Sequence, residues 1–385
     1  MDYIQVLKRL ISFNTSVPPG KNYEKVIDYL EPLFAGVGFQ TQKIEIPPDF
    51  AEGREGRVNL VCHRQEPYKP RLIFYTHVDV VPAQGWDAFS PRIENGRVFG
   101  RGAADMKGAI PALLLALERC QNEPIVYNTS VMVTTDEEIG QASQLRFIRQ
   151  FLQPVKDAYF FDLDSNFGYV SIASLGALQM DIRVKGKSVH SGLSHLGENA
   201  VEKACLLMNA LLELKKKVVR KKSKVRTHPS TGLDRMVPRL NINMVQGGLK
   251  VNIIPDECVI SLDRRLIPEE NLEDARKEIL DALSAVPNVN WDILKEVSIP
   301  TVPPCDDPIT DKLAYLIRDV VGEGNKYGEM GSGDLANIVV NEWQAKEFGL
   351  GVIRAESNIH GVNEWVSQKD IENLAEIIYR FLTGQ

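Results

Sequence analysis

The sequence predicts an α/β protein: a mixed, mostly parallel sheet flanked by helices, interrupted by an inserted α+β module of ferredoxin-like order. Three observations carry this reading. Helical and strand patterns alternate over residues 1–175, a different grammar runs over 176–294, and alternation resumes over 295–385. A chain of 385 residues also exceeds the roughly 100–200 residues expected of one domain, so two are expected, the second inserted in the first.

The elements follow in order. "MDYIQVLKRLISF" reads as an amphipathic first helix, and "YEKVIDYLEPLFAGVG" as a second that stops at glycine. "RVNLVCH", "RLIFYTHV" and "SVMVTTD" are short β-branched and aromatic runs, with the apolar helix "AIPALLLALERC" between the last two. "DAYFFDLD" is a further strand. The insert then reads strand "ALQMDIRVKG", helix "GENAVEKACLLMNALLELKKK", strands "RLNINMVQGG" and "ECVISLDRRLIP", helix "NLEDARKEILDALSAV" and strand "NWDILKEV". This β-α-β-β-α-β order is that of a split βαβ unit. Helix "DKLAYLIRDVV", the glycine-rich turn "GEMGSGD", strand "FGLGVI" and a closing amphipathic helix from Lys369 complete the first domain.

Composition limits the function. A net charge of −6 argues against a nucleic-acid binder, which usually carries a basic excess. The run Lys215 to Arg226 holds eight basic residues in twelve and reads as a solvated helix end and loop. Five scattered cysteines without a CxxC pair argue for a reducing cytoplasm over a disulfide framework. The longest apolar stretch, "PALLLAL", is far short of a membrane span, and the N-terminus lacks the pattern of a signal peptide.

Chemistry concentrates where strands end. In "THVDVVP", His77 and Asp79 stand two apart on a strand and face the same side, so the carboxylate can orient the imidazole. "GRGAADMKG" isolates Asp105 among small residues just before an apolar helix. "TTDEEIG" places Glu137 and Glu138 side by side at a strand exit, where like charges repel unless a cation or shared proton separates them. "YFFDLDS" ends a strand in Asp162 and Asp164, and "NIHGVNEW" supplies His360 from a polar turn. Ligands of open α/β sheets bind beyond the carboxyl ends of the strands. A carboxylate- and imidazole-rich cluster there suits a divalent transition metal, Zn²⁺ above all.

These motifs, with "VKGKSVHSG", "GENAV", "SFNTSVPPG" and "GGLKVNIIPDEC", resemble the zinc-dependent family that contains acetylornithine deacetylase, succinyl-diaminopimelate desuccinylase, aminoacylase and carnosinase. The resemblance runs over nearly the whole chain. It implies a zinc-peptidase-like catalytic domain from 1–175 and 295–385 and a lid or dimerisation domain from 176–294. It also implies two Zn²⁺ per subunit, with Co²⁺ or Mn²⁺ as substitutes. The resemblance makes His77 a ligand of the first metal with Asp79 behind it, Asp105 the bridging carboxylate, and Glu138 with His360 the ligands of the second metal. Asp162 is the expected remaining ligand of the first, with Asp164 on the same strand face as its competitor. Glu137 is the expected general base.

In the insert, His190 matches a histidine that reaches a partner subunit's site and hydrogen-bonds the substrate carbonyl oxygen. Arg265, Asn252 and the turn Gly331, Ser332, Gly333 match positions that bind the substrate carboxylate. His63 and His228 match no functional position and read as surface residues, and His195, in a helix-entry loop, reads as a surface or capping residue.

The resemblance implies hydrolysis of the amide of an N-acyl amino acid, of the acetylornithine or succinyl-diaminopimelate type, by a cytoplasmic homodimer joined through the insert. The alternatives are a dipeptidase, carboxypeptidase or aminoacylase with the same machinery, a two-metal phosphoesterase, and a non-catalytic homologue. Arg265 and the "GSGD" turn are the sole candidate oxyanion contacts, which fits one carboxylate better than a phosphoryl group. The presence of Glu137 beside a full ligand set argues against a non-catalytic protein.

Overall fold

The computed structural model describes residues 2–66 and 68–385. The chain divides into two compact units. The first comprises Met1–Ile172, Cys305–Tyr327 and Asp334–Gln385; the second comprises Ala173–Pro304 and Gly328–Gly333.

An eight-stranded sheet organises the first unit. Its order is Gln40–Glu45, Val58–Arg64, Asn128–Thr134, Arg71–His77, Tyr159–Asp162, Lys346–Gly349, Val170–Ser174 and Lys326–Glu329. The four strands from Asn128–Thr134 to Lys346–Gly349 are parallel, and antiparallel neighbours flank them. The parallel strands are buried along almost their whole length, as both faces of such a sheet must be. Ile73, Tyr75, Met132, Phe160, Leu145, Ile148 and Trp343 form one core of this unit. The helix Ala109–Arg119 is apolar on nearly every side, because it is enclosed rather than laid on a surface. All four parallel strands deliver their carboxyl ends to one edge, so whatever follows His77, Thr134 and Asp162 gathers there.

The second unit has four antiparallel strands in the order Arg239–Gly247, Glu257–Leu266, Gly176–Lys185, Asn290–Ile299. With helices Ala200–Val218 and Leu272–Ser284, this is the split βαβ arrangement. Both helices begin at asparagines, Asn199 and Asn271, whose side chains accept from the first free backbone N–H groups. Leu178, Ile182, Val184, Leu207, Leu211, Ile260 and Ile279 pack between helices and sheet. The unit begins at Ala173 and ends at Pro304, slightly wider than 176–294, because the pairing of Ser174 with Val302 extends it. It also takes in Gly328–Gly333, where the Gly328 N–H donates to the Arg226 carbonyl.

Candidate metal centre

His77 closes the strand Arg71–His77 and is completely buried. Both of its ring nitrogens lack a hydrogen-bond partner, as does Asp79 Oδ1. The neighbours of the ring are carboxylates: Asp79 Oδ1 at 3.4 Å from Nδ1, and Asp105 Oδ1 and Asp164 Oδ2 at 3.4 and 3.6 Å from Nε2. These separations are too long for hydrogen bonds. Zinc with N and O donors at about 2.0–2.2 Å holds tetrahedral neighbours about 3.3–3.5 Å apart, so the Nε2 side has the spacing of a ligand shell.

Two groups of three metal-capable side chains result: His77, Glu137 and Asp164; and Asp105, Glu138 and His360. His360 Nε2 stands 2.9 Å from Asp105 Oδ2 and 3.2 Å from Glu138 Oε2. Asp105 reaches towards both histidines, as a bridging carboxylate must. The donor set fits two hard-to-borderline divalent cations, and the orphaned nitrogens of a buried His77 are a cost that a cation removes.

The electrostatics reflect the crowding of acids. Burial pushes the Glu137 carboxyl well above the usual range; His77 pulls it back, while Asp164, Asp105 and Asp79 add to the rise. Burial also raises Glu138, against a hydrogen bond with His360 that lowers it. Burial acts to raise Asp105 too, but a hydrogen bond with His360 and the nearby His77 ring outweigh it and hold that carboxyl below the usual range. Hydrogen bonds with Asp105 and Glu138 lift His360 to about 10.

Positions are fixed by a further ring of contacts. Asp79 Oδ2 accepts from the Glu138 N–H at 3.0 Å, which ties the His77 strand to the acidic turn. Val81 N–H donates to Glu138 Oε1 at 3.2 Å. Asp136, in a left-handed conformation with φ 65°, turns the chain so that Glu137 and Glu138 follow it into the site. Its buried carboxylate accepts from Tyr23, Arg54, Arg57 and Gln144. Lys107, fully buried below the Asp105 loop, donates to the Leu10 and Phe13 carbonyls, and burial draws its pKa down to about 7.

The carboxylate grouped with His77 and Glu137 is that of Asp164, the competitor the sequence offers to Asp162. The strand ends at Asp162, so two-residue alternation does not extend to Asp164. Asp162 Oδ1 instead accepts from the Asp164 N–H at 2.9 Å, a local turn that directs its carboxylate to its own backbone. No local pattern in the sequence marks Asp136 or Lys107, because the arginines and carbonyls they bind lie far along the chain.

The insert residues form two local groups within the second unit. His190 and Asn252 come together where Val189–His190 pairs with Ile253–Ile254, and the Ser191 N–H donates to the Asn252 carbonyl. His190 is exposed, and its Nδ1 accepts from Gly192 N–H at 3.1 Å, so the neutral ring carries its proton on Nε2. Arg265 donates to Asp263 and, at 3.1 Å, to Ser332 Oγ between Gly331 and Gly333. His195 and His228 are exposed or nearly so, whereas His63 is half-buried against Ser130.

The profile of peptidase family M20/M25/M40 matches residues 73–384. A succinyl-diaminopimelate desuccinylase of Sulfurovum sp. (strain NBC37-1) is 25% identical over 392 residues, which cover 98% of this chain and 97% of the relative. Among solved structures, an M20 family metallo-carboxypeptidase from Sulfolobus solfataricus superposes with a TM-score of 0.77 at 17% identity, covering 100% of this chain and 99% of that one. A dinuclear metal-binding peptidase of the family from Bacillus subtilis gives a TM-score of 0.65 at 12% identity, over 99% and 96% of the two chains.

Proposed function

The chain belongs to peptidase family M20/M25/M40, and on that premise we propose that it is a two-metal amidohydrolase that removes the acyl group from an N-acyl amino acid, of the succinyl-diaminopimelate desuccinylase type. The observation that carries the reading is the pairing of two three-residue groups, His77–Glu137–Asp164 and Asp105–Glu138–His360, at the carboxyl edge of one parallel sheet. Full-length similarity to a desuccinylase supports the substrate class.

His77, Asp105 and Asp164 would hold one cation, and Asp105, Glu138 and His360 the other, with zinc favoured by the imidazole and carboxylate donors. Such ions supply Lewis-acid polarisation of the scissile carbonyl and lower the pKa of water. Asp79 orients His77. Glu137 is the proton carrier: it takes a proton from the attacking water and delivers it to the leaving amine. His190, with its proton on Nε2, is proposed as a donor to the developing oxyanion in a partner subunit's site, and Arg265, beside Ser332 of the Gly331–Gly333 turn, as a group for the substrate carboxylate.

We further propose a cytoplasmic homodimer. Its free cysteines support the compartment, and among the described residues no helix is long and apolar enough to cross a membrane. The edge strand Arg239–Gly247 exposes Met244 and Val245, and Leu206 and Leu212 on the helix Ala200–Val218 are similarly exposed, an apolar surface that a second copy would cover.

The test is hydrolysis of N-succinyl-diaminopimelate, N-acetylornithine and a dipeptide panel by chelator-stripped and zinc-restored protein. Zinc-dependent release of succinate is expected. Preferential cleavage of dipeptides would replace the acyl substrate with a peptide. The absence of amide cleavage across the panel with zinc restored would overturn the enzyme reading.

A further inference from the structure

Glu364 is fully buried four residues beyond His360. Its Oε2 accepts from Arg101 Nη1 at 2.6 Å and Gly102 N–H at 3.0 Å; its Oε1 accepts from Ala104 N–H at 3.0 Å and Asp105 N–H at 3.1 Å. Its own carbonyl accepts from Gly100 N–H at 3.0 Å. Arg101, also buried, turns its other terminal nitrogen to the His360 carbonyl at 3.0 Å. Four donors fill the roughly four lone-pair directions of a carboxylate, so Glu364 has none left for a cation.

The contacts fall on two segments that ordinary secondary structure does not hold. Around Asp105 the backbone leaves helical geometry, at φ −116° and ψ 93°, so nearby N–H groups have no helical acceptor. His360 has φ 61°, a left-handed conformation that a non-glycine residue keeps only where its surroundings impose it. One carboxylate gathers the N–H groups of the first segment, and one guanidinium links that carboxylate to the carbonyl of the second.

We propose that Glu364 and Arg101 are positioning residues that set the separation of Asp105 and His360, and thereby the affinity of one of the two metal sites. The proposal rests on the metal-binding reading above and adds a pair that contacts neither metal nor substrate. Glu364 fixes the Asp105 backbone directly. Arg101 fixes His360 through its carbonyl. The site formed by His77 and Asp164 has its own support from Asp79 and is independent of the pair except through the shared Asp105.

Zn²⁺ titration of chelator-stripped protein, in competition with a chromophoric chelator, tests this in wild type, Glu364→Gln, Arg101→Lys and His360→Ala. Glutamine keeps the shape of Glu364 but turns an NH₂ group towards two of the four donors. Glu364→Gln is expected to weaken one zinc equivalent by about 10- to 100-fold, the range for residues that orient ligands. That equivalent should be the one lost in His360→Ala, with the other within about threefold of wild type. Arg101→Lys keeps a positive charge beside Glu364 but cannot also reach the His360 carbonyl. It should weaken the same equivalent by a smaller factor, and it decides the matter if Glu364→Gln does not fold. Wild-type affinity for both equivalents in the folded variants, or equal weakening of both, would overturn the proposal while leaving the function standing. A wild-type protein that takes up no zinc would overturn both.

Discussion

Replacing Asp136 by asparagine removes the charge on which two guanidinium groups converge. Arg54 Nε and Arg57 Nε donate to it at 3.0 and 2.9 Å, Gln144 at 2.9 Å and the Tyr23 hydroxyl at 3.0 Å. Asp136 is fully buried and the Arg57 side chain is 5% exposed, so asparagine strands a guanidinium that water cannot reach. Breaking a buried pair from one side costs about 3–5 kcal/mol. Arg54, 22% exposed, regains some hydration, and asparagine keeps one acceptor oxygen. These offsets put the expected loss near the lower end, about 3 kcal/mol. Burial beside Asp79 and Asp136 pushes the Tyr23 phenol well above its usual value, so it remains a donor at neutral pH. Because Asp136 immediately precedes Glu137, a relaxed turn should also lower kcat by about 100-fold, the cost of roughly 1 Å of misplacement. Urea unfolding and steady-state kinetics of the same preparation measure both. A loss under about 1 kcal/mol with unchanged kcat would mean that this cluster does not hold the acidic turn.

Three further outcomes are expected. Glu137→Gln should keep its metal, measured by elemental analysis, while kcat falls by about 10²–10⁴-fold; Glu138→Gln should lose metal, and the reverse pattern would exchange their roles. In the second unit burial acts to raise Glu270, but Arg264 and Lys221 outweigh it and leave its pKa below the ordinary carboxyl value. A depressed carboxyl pKa stabilises the fold above the unfolded value of about 4.3 and loses that contribution as pH falls through the folded value. The Tm gap between wild type and Glu270→Gln should therefore hold at neutral pH and shrink below about pH 4; a constant gap down to pH 3 would contradict the pairing. Met244→Lys combined with Val245→Lys should halve the mass seen by light scattering if the exposed strand edge joins two copies, whereas a wild-type monomer would remove that interface.

Local pattern made the sheet and the site legible to different depths. Runs such as "RLIFYTHV" and "SVMVTTD" revealed their strands because parallel strands are buried on both faces and must be apolar throughout. Gln40–Glu45 escaped notice: it is an edge strand, mostly exposed, and polar residues satisfy it. His77, Glu137 and Glu138 stand out because titratable groups at the ends of apolar runs are conspicuous, whereas Asp105 and His360 take their meaning from the motifs around them. Choosing between Asp162 and Asp164 required the residue at which the strand stops, and propensity sets such boundaries poorly. Asp136 and Glu364 were beyond reach for another reason. Each looks like an ordinary surface acid in a polar turn, and its importance lies in arginines 79 and 263 residues away in sequence.

The Arg101–Glu364 contact spans 263 residues, and that separation bears on when the protein becomes competent. Chains emerge from the ribosome amino terminus first, and their domains tend to fold in that order. The segments bearing His77, Asp105 and the acidic turn emerge first, and the carboxylate that gathers the Asp105 loop follows them by more than 200 residues. A nascent or carboxy-terminally truncated chain therefore presents its acids without the clamp that spaces them. On the proposed positioning role, a chain that stops short of Glu364 should hold metal more weakly than one that includes it.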